Sequence, residues 1–333
     1  MNEWQKLPED ERRKIINSIS FHTGLSPNAV EKDWWVTMVL KAVFQTSCSD
    51  WLIFKGGTSL SKGWDLIKRF SEDCDFAIYR SFFGMEGELG KKERTKLRKI
   101  SCSFIKEKLS LEIDAMLQKH GIVDYSVIVP QSTVSDADPQ DLYVKYQSLF
   151  PELDYIRNQV KLEIGCRSLR EPFEEISVRS IIADFTEGET YFPVNFASPE
   201  RTFLEKIFLL HEEFQLNRHV GRMSRHLYDL EKLMDTKFAF SALNDTELYK
   251  TTVKHRMTFN KWQNIDYRKH HPSSIRIIPS DGMSTVWEND YKNLQRLFIY
   301  GESLSYEQLL ERIKELEQRL HRIELDNDFL ILG

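Results

Sequence analysis

Between Phe54 and Ala77 the chain reads FKGGTSLSKGWDLIKRFSEDCDFA. Its chemistry-bearing residues are a glycine pair, Gly56-Gly57, and two carboxylates one residue apart, Asp73 and Asp75. Read as a strand, Asp73-Cys74-Asp75 projects both carboxylates to the same side. The glycine pair ends the apolar run Trp51 to Phe54 and opens a short helical segment, Thr58 to about Leu66. Glycines let backbone N–H groups come close to phosphate, and a helix N-terminus favours an anion. Two aligned carboxylates beside such a turn suit Mg²⁺, which usually takes one or two carboxylates plus substrate phosphates. A plain turn and helix followed by an edge strand with solvated aspartates has the same spacing, so the pattern alone leaves both readings open. A Walker phosphate loop is excluded, since no G-x-x-x-x-G-K-[ST] string occurs, and the protein-kinase glycine loop and H-R-D signature are missing too.

The elements around this stretch follow from periodicity and punctuation. A first helix is expected from Pro8 to about Ile19, and Ser26-Pro27 caps a second that runs to about Gln45. Val36, Val39, Leu40, Val43 and Phe44 form the buried stripe of the second. Lys32 and Asp33 lie on its first turns, either as a local exposed ion pair or, by the resemblance given below, near the active site. A glycine-containing loop, Arg80 to Gly90, leads to a long charged helix, Lys91 to about His120, with Ile100, Phe104, Leu111 and Leu117 as its apolar positions. Strands are expected at Tyr125–Val129, Leu142–Leu149, Val160–Cys166 and Ile176–Phe185. The run Asp136 to Asp141 between the first two reads as an exposed acidic turn in preference to a metal site, which its aspartates could mimic. In the third, Lys161 and Glu163 share one face while Val160, Leu162 and Ile164 share the other.

Near Pro193 to Pro199 the character changes from strand to helix, which divides the chain into residues 1–197 and 198–333. Ser198-Pro199 starts a helix that buries Phe203, Ile207 and Leu210, with Lys206 at the border of the stripe and its ammonium free. The next helix, about Arg222 to Asp235, buries Met223, Leu227, Leu230 and Met234, and Asp229 falls off that stripe. An irregular segment, Trp262 to Ser284, contains His270-His271, whose adjacency lacks the i, i+4 geometry of a zinc site. A final helix opens at Ser305 with a capping-box pattern to Gln308. Its stripe, Leu309 to Ile323, packs on the body or makes a small dimer contact.

Several ordered motifs resemble the polymerase-beta-like nucleotidyltransferase superfamily and, more closely, the AbiEii toxin family of abortive-infection toxin–antitoxin pairs. They are Gly56-Gly57-Thr58-Ser59-Leu60 with Phe70-Ser71-Glu72-Asp73-Cys74-Asp75-Phe76; Glu31-Lys32-Asp33-Trp34-Trp35-Val36; Lys161-Leu162-Glu163-Ile164; and Arg225-His226-Leu227-Tyr228-Asp229-Leu230. The agreement runs from about residue 25 to about 310. It implies an α+β fold, a nucleotidyltransferase core with a small mixed sheet followed by a helical C-terminal domain. It also implies transfer of an NMP from an NTP to an RNA hydroxyl, with a tRNA 3′ end as the acceptor. By this resemblance Asp73, Asp75 and Glu163 bind metal, two Mg²⁺ ions or Mn²⁺ in their place. Gly56, Gly57, Thr58, Ser59, Lys62 and Lys206 contact the nucleotide, and Asp229 completes the catalytic set by orienting Lys206; a structural ion pair between packed helices is the competing account of Lys206 and Asp229. A separately encoded antitoxin is the implied protein partner. The Arg-Asp pair common in that family ahead of Leu-Tyr-Asp is Arg225-His226 here, which leaves no acid at that position. An antibiotic-type transferase acting on a small molecule, and a catalytically silent nucleotide-binding module, compete with this reading.

Composition bounds the alternatives. The 333 residues include 21 Phe, 12 Tyr and 7 Trp, enough to bury ample core and too many for disorder over most of the length. The first residues are charged and lack the apolar centre of a signal peptide, and no apolar run approaches a membrane span. Cys48, Cys74, Cys102 and Cys166 lack paired spacing, which points to a reduced, cytoplasmic protein without structural zinc. A net charge of −5 argues against a chain coated in nucleic acid. Local basic patches stand out nonetheless: Lys91 to Lys99; Arg218, Arg222 and Arg225 with His219 and His226; Lys254 to Arg256; and Arg268 to His271. They read as solvated helix faces or as an RNA-binding surface. A monomer or weak dimer is expected.

Overall fold

The computed structural model describes residues 2–71, 73–131, 136–153, 155–167, 172–186, 188–218, 220–259 and 264–326. Glu72, His219 and Trp262 lie outside the described residues. The chain divides into two compact units, Met1–Gly63 with Phe70–Ala197, and Trp64–Arg69 with Ser198–Gly333.

The first unit is built on a seven-stranded mixed sheet. Its strands are β1 (Leu52–Lys55), β2 (Asp73–Ile78), β3 (Tyr125–Ile128), β4 (Gln140–Tyr146), β5 (Gln159–Gly165), β6 (Phe173–Val178) and β7 (Phe192–Ala197). Their order is β3-β4-β5-β2-β1-β7-β6, with β2 parallel to β5 and antiparallel to β1. Alternation sets the two faces. Along β5 the residues Val160, Leu162 and Ile164 are buried, whereas Lys161 and Glu163 are half-buried. Along β2 Cys74 is buried between half-buried Asp73 and Asp75.

The helix Pro27–Val43 packs on this sheet, capped by the Ser26 hydroxyl, which accepts from the Ala29 amide. Trp35 stacks on Tyr146 of β4 with ring centroids 4.7 Å apart. Lys32 and Asp33 are not a local exposed ion pair, and Glu31 beside them is also engaged by distant residues. Glu31 accepts from Ser148 and from the Leu149 amide, Lys32 donates to the Arg157 carbonyl, and Asp33 pairs with Lys62. Burial pushes the Glu31 carboxyl up against the pull of these donors.

Three further expectations from the sequence need correction in this unit. The long charged helix comprises Lys91–Phe104, a π-helical turn Ile105–Leu109, and Ser110–Lys119. Its buried positions Leu97, Ile105, Leu109, Ile113 and Leu117 repeat mostly every four residues. Such a ladder drifts around a regular 3.6-residue helix, and a π turn winds it back. Ile100 and Leu111, expected inside, are therefore exposed. The fourth expected strand stops at Val178; Ile181–Asp184 is a 3₁₀ turn, and the next strand is Phe192–Ala197. The acidic run is not an exposed turn either. Asp138 is buried, accepting from the Cys166 amide at 3.2 Å and pairing with Arg167 at 2.5 Å, and Asp141 lies within β4.

The second unit is helical. Pro199–Gln215 buries Phe203, Ile207 and Leu210 as its spacing requires, and Ser224–Leu233 buries Leu227 and Leu230. The last helix, Tyr306–Leu320, starts with the capping box read from the sequence and packs Leu309, Ile313, Leu316 and Leu320 inside this unit. That burial uses the stripe that a dimer contact would have needed. No described helix is long and apolar enough to cross a membrane.

Candidate active site

Strand β1 delivers the chain to Gly56, whose φ of +78° lies in the left-handed region. A Cβ at this position would stand 2.0 Å from Oδ2 of Asp75. Glycine is required there on both counts. The helix Gly56–Lys62 follows, with no side chain capping its first turn. The Thr58 hydroxyl donates to the Asp73 carbonyl, which ties this helix to β2, and Ser59 is buried behind it. Lys62 closes the helix. Its ammonium is 2.7 Å from Asp33 Oδ1 and 3.3 Å from the Arg179 carbonyl, while Asp33 Oδ2 accepts the Ile181 amide at 2.8 Å.

Strand register assembles the carboxylates. Asp75 on β2 stands opposite Glu163 on β5, and Asp73 opposite Lys161. Glu163 in turn stands opposite Asp141 on β4, and Asp75 opposite Lys55 on β1. Residues in register share a face, and neighbouring strands are about 4.8 Å apart, so these groups form one polar row. Lys161 bonds Glu163 and lies 3.4 Å from Asp141 Oδ2. Tyr143 donates its hydroxyl to the same Asp141 oxygen at 3.2 Å. Burial and then the Asp141 charge push the Tyr143 hydroxyl up, which keeps it a donor.

Asp73, Asp75 and Glu163, read from the sequence, come together here with Gly56 and Thr58. Asp141, Lys161 and Tyr143 share their row, and sequence reasoning gave them no role. The alternation of β5 already put Lys161 on the face of Glu163. Nothing local marked Asp141, because its place depends on pairing with a distant strand.

The donors of this row are all oxygens, which suits Mg²⁺ or Mn²⁺ rather than zinc. Among the described residues no group of three His, Cys, Asp or Glu side chains is arranged to hold an ion by itself. A cation held at this row would have to complete its shell from a bound polyphosphate. Cys74 is no rival ligand. Burial, with Asp75 and Asp73 adding to it, pushes its thiol far up.

In the second unit Asp229 is fully buried rather than off the helix stripe, and it collects two cations. Arg69 reaches its two oxygens at 2.6 and 2.8 Å, and Lys206 Nζ lies 2.7 Å from Oδ2. The Lys206 ammonium is thus paired, as the ion-pair account of these two residues has it. Burial opposes the Asp229 charge, but Arg69 and Lys206 outweigh it and hold the carboxyl well below its usual range. Burial, only partly offset by Asp229, lowers the Lys206 ammonium. His226 is buried beside them, and neither ring nitrogen has a hydrogen-bond partner among the described residues. Burial, then Lys206 and Arg225, push its pKa well below the ordinary value, so the ring is neutral.

Two of the basic patches prove partly structural. Arg256 is buried, 2.8 and 2.5 Å from Glu212, and buried His270 is 3.2 Å from that same carboxylate. The patch Lys91 to Lys99 does face solvent through Lys91, Lys92, Lys96 and Lys99.

A strand, glycine turn and short helix followed by a carboxylate-bearing strand, with a further carboxylate on the neighbouring parallel strand, defines a nucleotidyltransferase-type core in an α+β fold. The family model for "Nucleotidyl transferase AbiEii toxin, Type IV TA system" matches residues 39–312, and the chain belongs to that family. It is a nucleotidyltransferase of toxin–antitoxin type. Among solved structures it is similar to MenT4, a nucleotidyltransferase toxin from Mycobacterium tuberculosis H37Rv. The two are 17% identical with a TM-score of 0.50, over 94% of this chain and 99% of that one, a likeness of fold. No curated protein matches the sequence.

Proposed function

We propose that the protein moves an NMP from an NTP to an RNA hydroxyl, a tRNA 3′ end, the hydroxyl oxygen bonding the α-phosphorus as the bond to pyrophosphate breaks and pyrophosphate leaves, and that this transfer restrains growth until a separately encoded antitoxin counters it. The observation that carries the chemistry is the direct register of Asp75 with Glu163 beside Gly56. In this reading Asp73, Asp75 and Glu163 hold Mg²⁺, or Mn²⁺ in its place. Ions held there would supply neutralisation of the charge that develops on the phosphates and activation of the attacking oxygen.

The chain's own residues supply positioning, on which this class of reaction depends most. Gly56 and Gly57 cradle the terminal phosphates through backbone donors, with Ser59 buried beneath them and supporting the turn. Glu163 helps draw the proton from the acceptor hydroxyl. The family resemblance assigns Lys206 to the triphosphate with Asp229 orienting it, and the 2.7 Å contact between them supports that orientation. Lys62 serves indirectly, since its ammonium is engaged by Asp33. The exposed lysines from Lys91 to Lys99 support an RNA acceptor over a small molecule. Four buried free thiols suit a reducing cytoplasm.

The test is incubation with Mg²⁺, each labelled NTP in turn and total cellular RNA, beside a folded Asp75→Asn variant. Label entering a tRNA-sized band with the native protein alone is the expected result, and it names the nucleotide as well. Equal labelling by folded Asp75→Asn would remove the assignment. NTP turnover without labelled RNA would move the acceptor to a small molecule or a protein.

A further inference from the structure

Three carboxylates lie in one row across three strands, Asp75 on β2, Glu163 on β5 and Asp141 on β4. Like charges directly opposite one another destabilise a sheet, and Glu163 has one on each side. With Asp73 on the same face the row holds four acids, against Lys55 beyond Asp75 and Lys161 on β5. One ammonium, that of Lys161, touches both Glu163 and the neighbourhood of Asp141. Asp141 is itself braced by the Tyr143 hydroxyl.

We propose that Lys161 is the resident counter-ion of Glu163 and that Asp141 is its alternative partner. When a divalent cation is held by Asp75 and Glu163, the ammonium shifts its main contact from Glu163 to Asp141. Lys161 and Asp141 are thus positioning residues that set the affinity for the ion. The inference depends on the metal-dependent reading above and extends it to two residues that reading leaves without a role.

The physical case has three parts. A lysine ammonium is a compact charge on a flexible stem, so it exchanges one carboxylate for another by side-chain rotation alone. Both partners already stand within its reach, on adjacent strands, and no backbone change is required. A cation on Glu163 repels an ammonium at contact distance, which turns Lys161 toward the one acid nearby that binds no ion. Lys161, Glu163 and Asp141 have side-chain exposures of 26%, 29% and 32%, so solvent tempers these interactions without erasing them.

The experiment measures Mn²⁺ affinity of the full-length protein, at one fixed concentration of inorganic triphosphate for every variant, by titration calorimetry, together with the Mn²⁺-induced rise in melting temperature. Lys161→Met is expected to bind Mn²⁺ about tenfold more tightly, since one repelling charge is removed. Asp141→Asn is expected to bind it several-fold more weakly, because Lys161 then stays on Glu163. The effect of Asp141→Asn should vanish in the Lys161→Met background, which a double-mutant cycle reads directly. Binding by Lys161→Met no tighter than native would overturn the proposal. So would an Asp141→Asn effect that persists without Lys161, since Asp141 would then act by its charge alone. Asp75→Asn separates this failure from that of the parent reading. If the native protein and Asp75→Asn do not differ in Mn²⁺ binding, the metal assignment itself falls and carries this inference with it.

Discussion

The Asp75 carboxylate occupies the space that a side chain on residue 56 would need: its Oδ2 lies 2.0 Å from the Cβ that Gly56 lacks. The turn that opens the short helix and the carboxylate on β2 are thereby interlocked. Gly56→Ala should displace Asp75 and strain a positive φ. We expect a loss of about a hundredfold in nucleotidyl transfer from misplacement alone. The stability cost should be about 1–3 kcal/mol, so the protein stays folded. Transfer rates beside urea denaturation of the same preparation check this, and near-native activity would show that the row tolerates a shifted Asp75.

Asp229 is the buried centre of its own cluster, bonded by Arg69 and Lys206. Asp229→Asn leaves two cations without their counter-charge and should cost about 3–5 kcal/mol. The native carboxyl is held below its usual range. Its contribution is therefore present above the ordinary carboxylate pKa, about 4, and is lost as the pH falls below it. Denaturation midpoints of native and variant protein should converge on acidification. Midpoints that stay parallel would mean the pair is not coupled to folding in this way.

Two buried histidines make the opposite group contribute in the same direction. Burial, then His270, pushes His211 down to about 3, and His226 is lowered well below its ordinary value. Below about pH 6.5 the unfolded chain takes up protons that the folded rings refuse, so stability falls as the pH falls. Each ring adds a slope of about 1.4 kcal/mol per pH unit in that window. His211→Gln and His226→Gln should each flatten the dependence of the urea midpoint on pH. An unchanged slope would show that the rings are protonated in the fold.

The π turn at Ile105–Leu109 predicts a contrast between two leucines two residues apart. Leu109 is fully buried and Leu111 is exposed. Leu109→Ala should cost about 2–5 kcal/mol, and Leu111→Ser should stay within about 0.5 kcal/mol of native. The reverse ranking in thermal melts would indicate a regular α-helix through this segment.

By itself the sequence determined the order strand, helix, strand between Trp51 and Ala77, the face shared by Asp73 and Asp75, and the capped last helix at Ser305; the first of these helices is Gly56–Lys62 rather than Thr58 to Leu66. These depend on signals a few residues long: alternation, glycine punctuation and capping side chains. The family resemblance added Glu163, Lys206 and Asp229 to the candidate set. What only the tertiary structure decided was pairing across distance. Glu163 meets Asp75 and Asp141 through strand register, Asp33 takes up the Lys62 ammonium, and Arg69 reaches an aspartate 160 residues away. Burial was misread for Asp138, Asp229, Arg256 and His270 for the same reason. A charged side chain looks solvated in its own sequence window, and only its partner from elsewhere in the chain makes its burial tolerable.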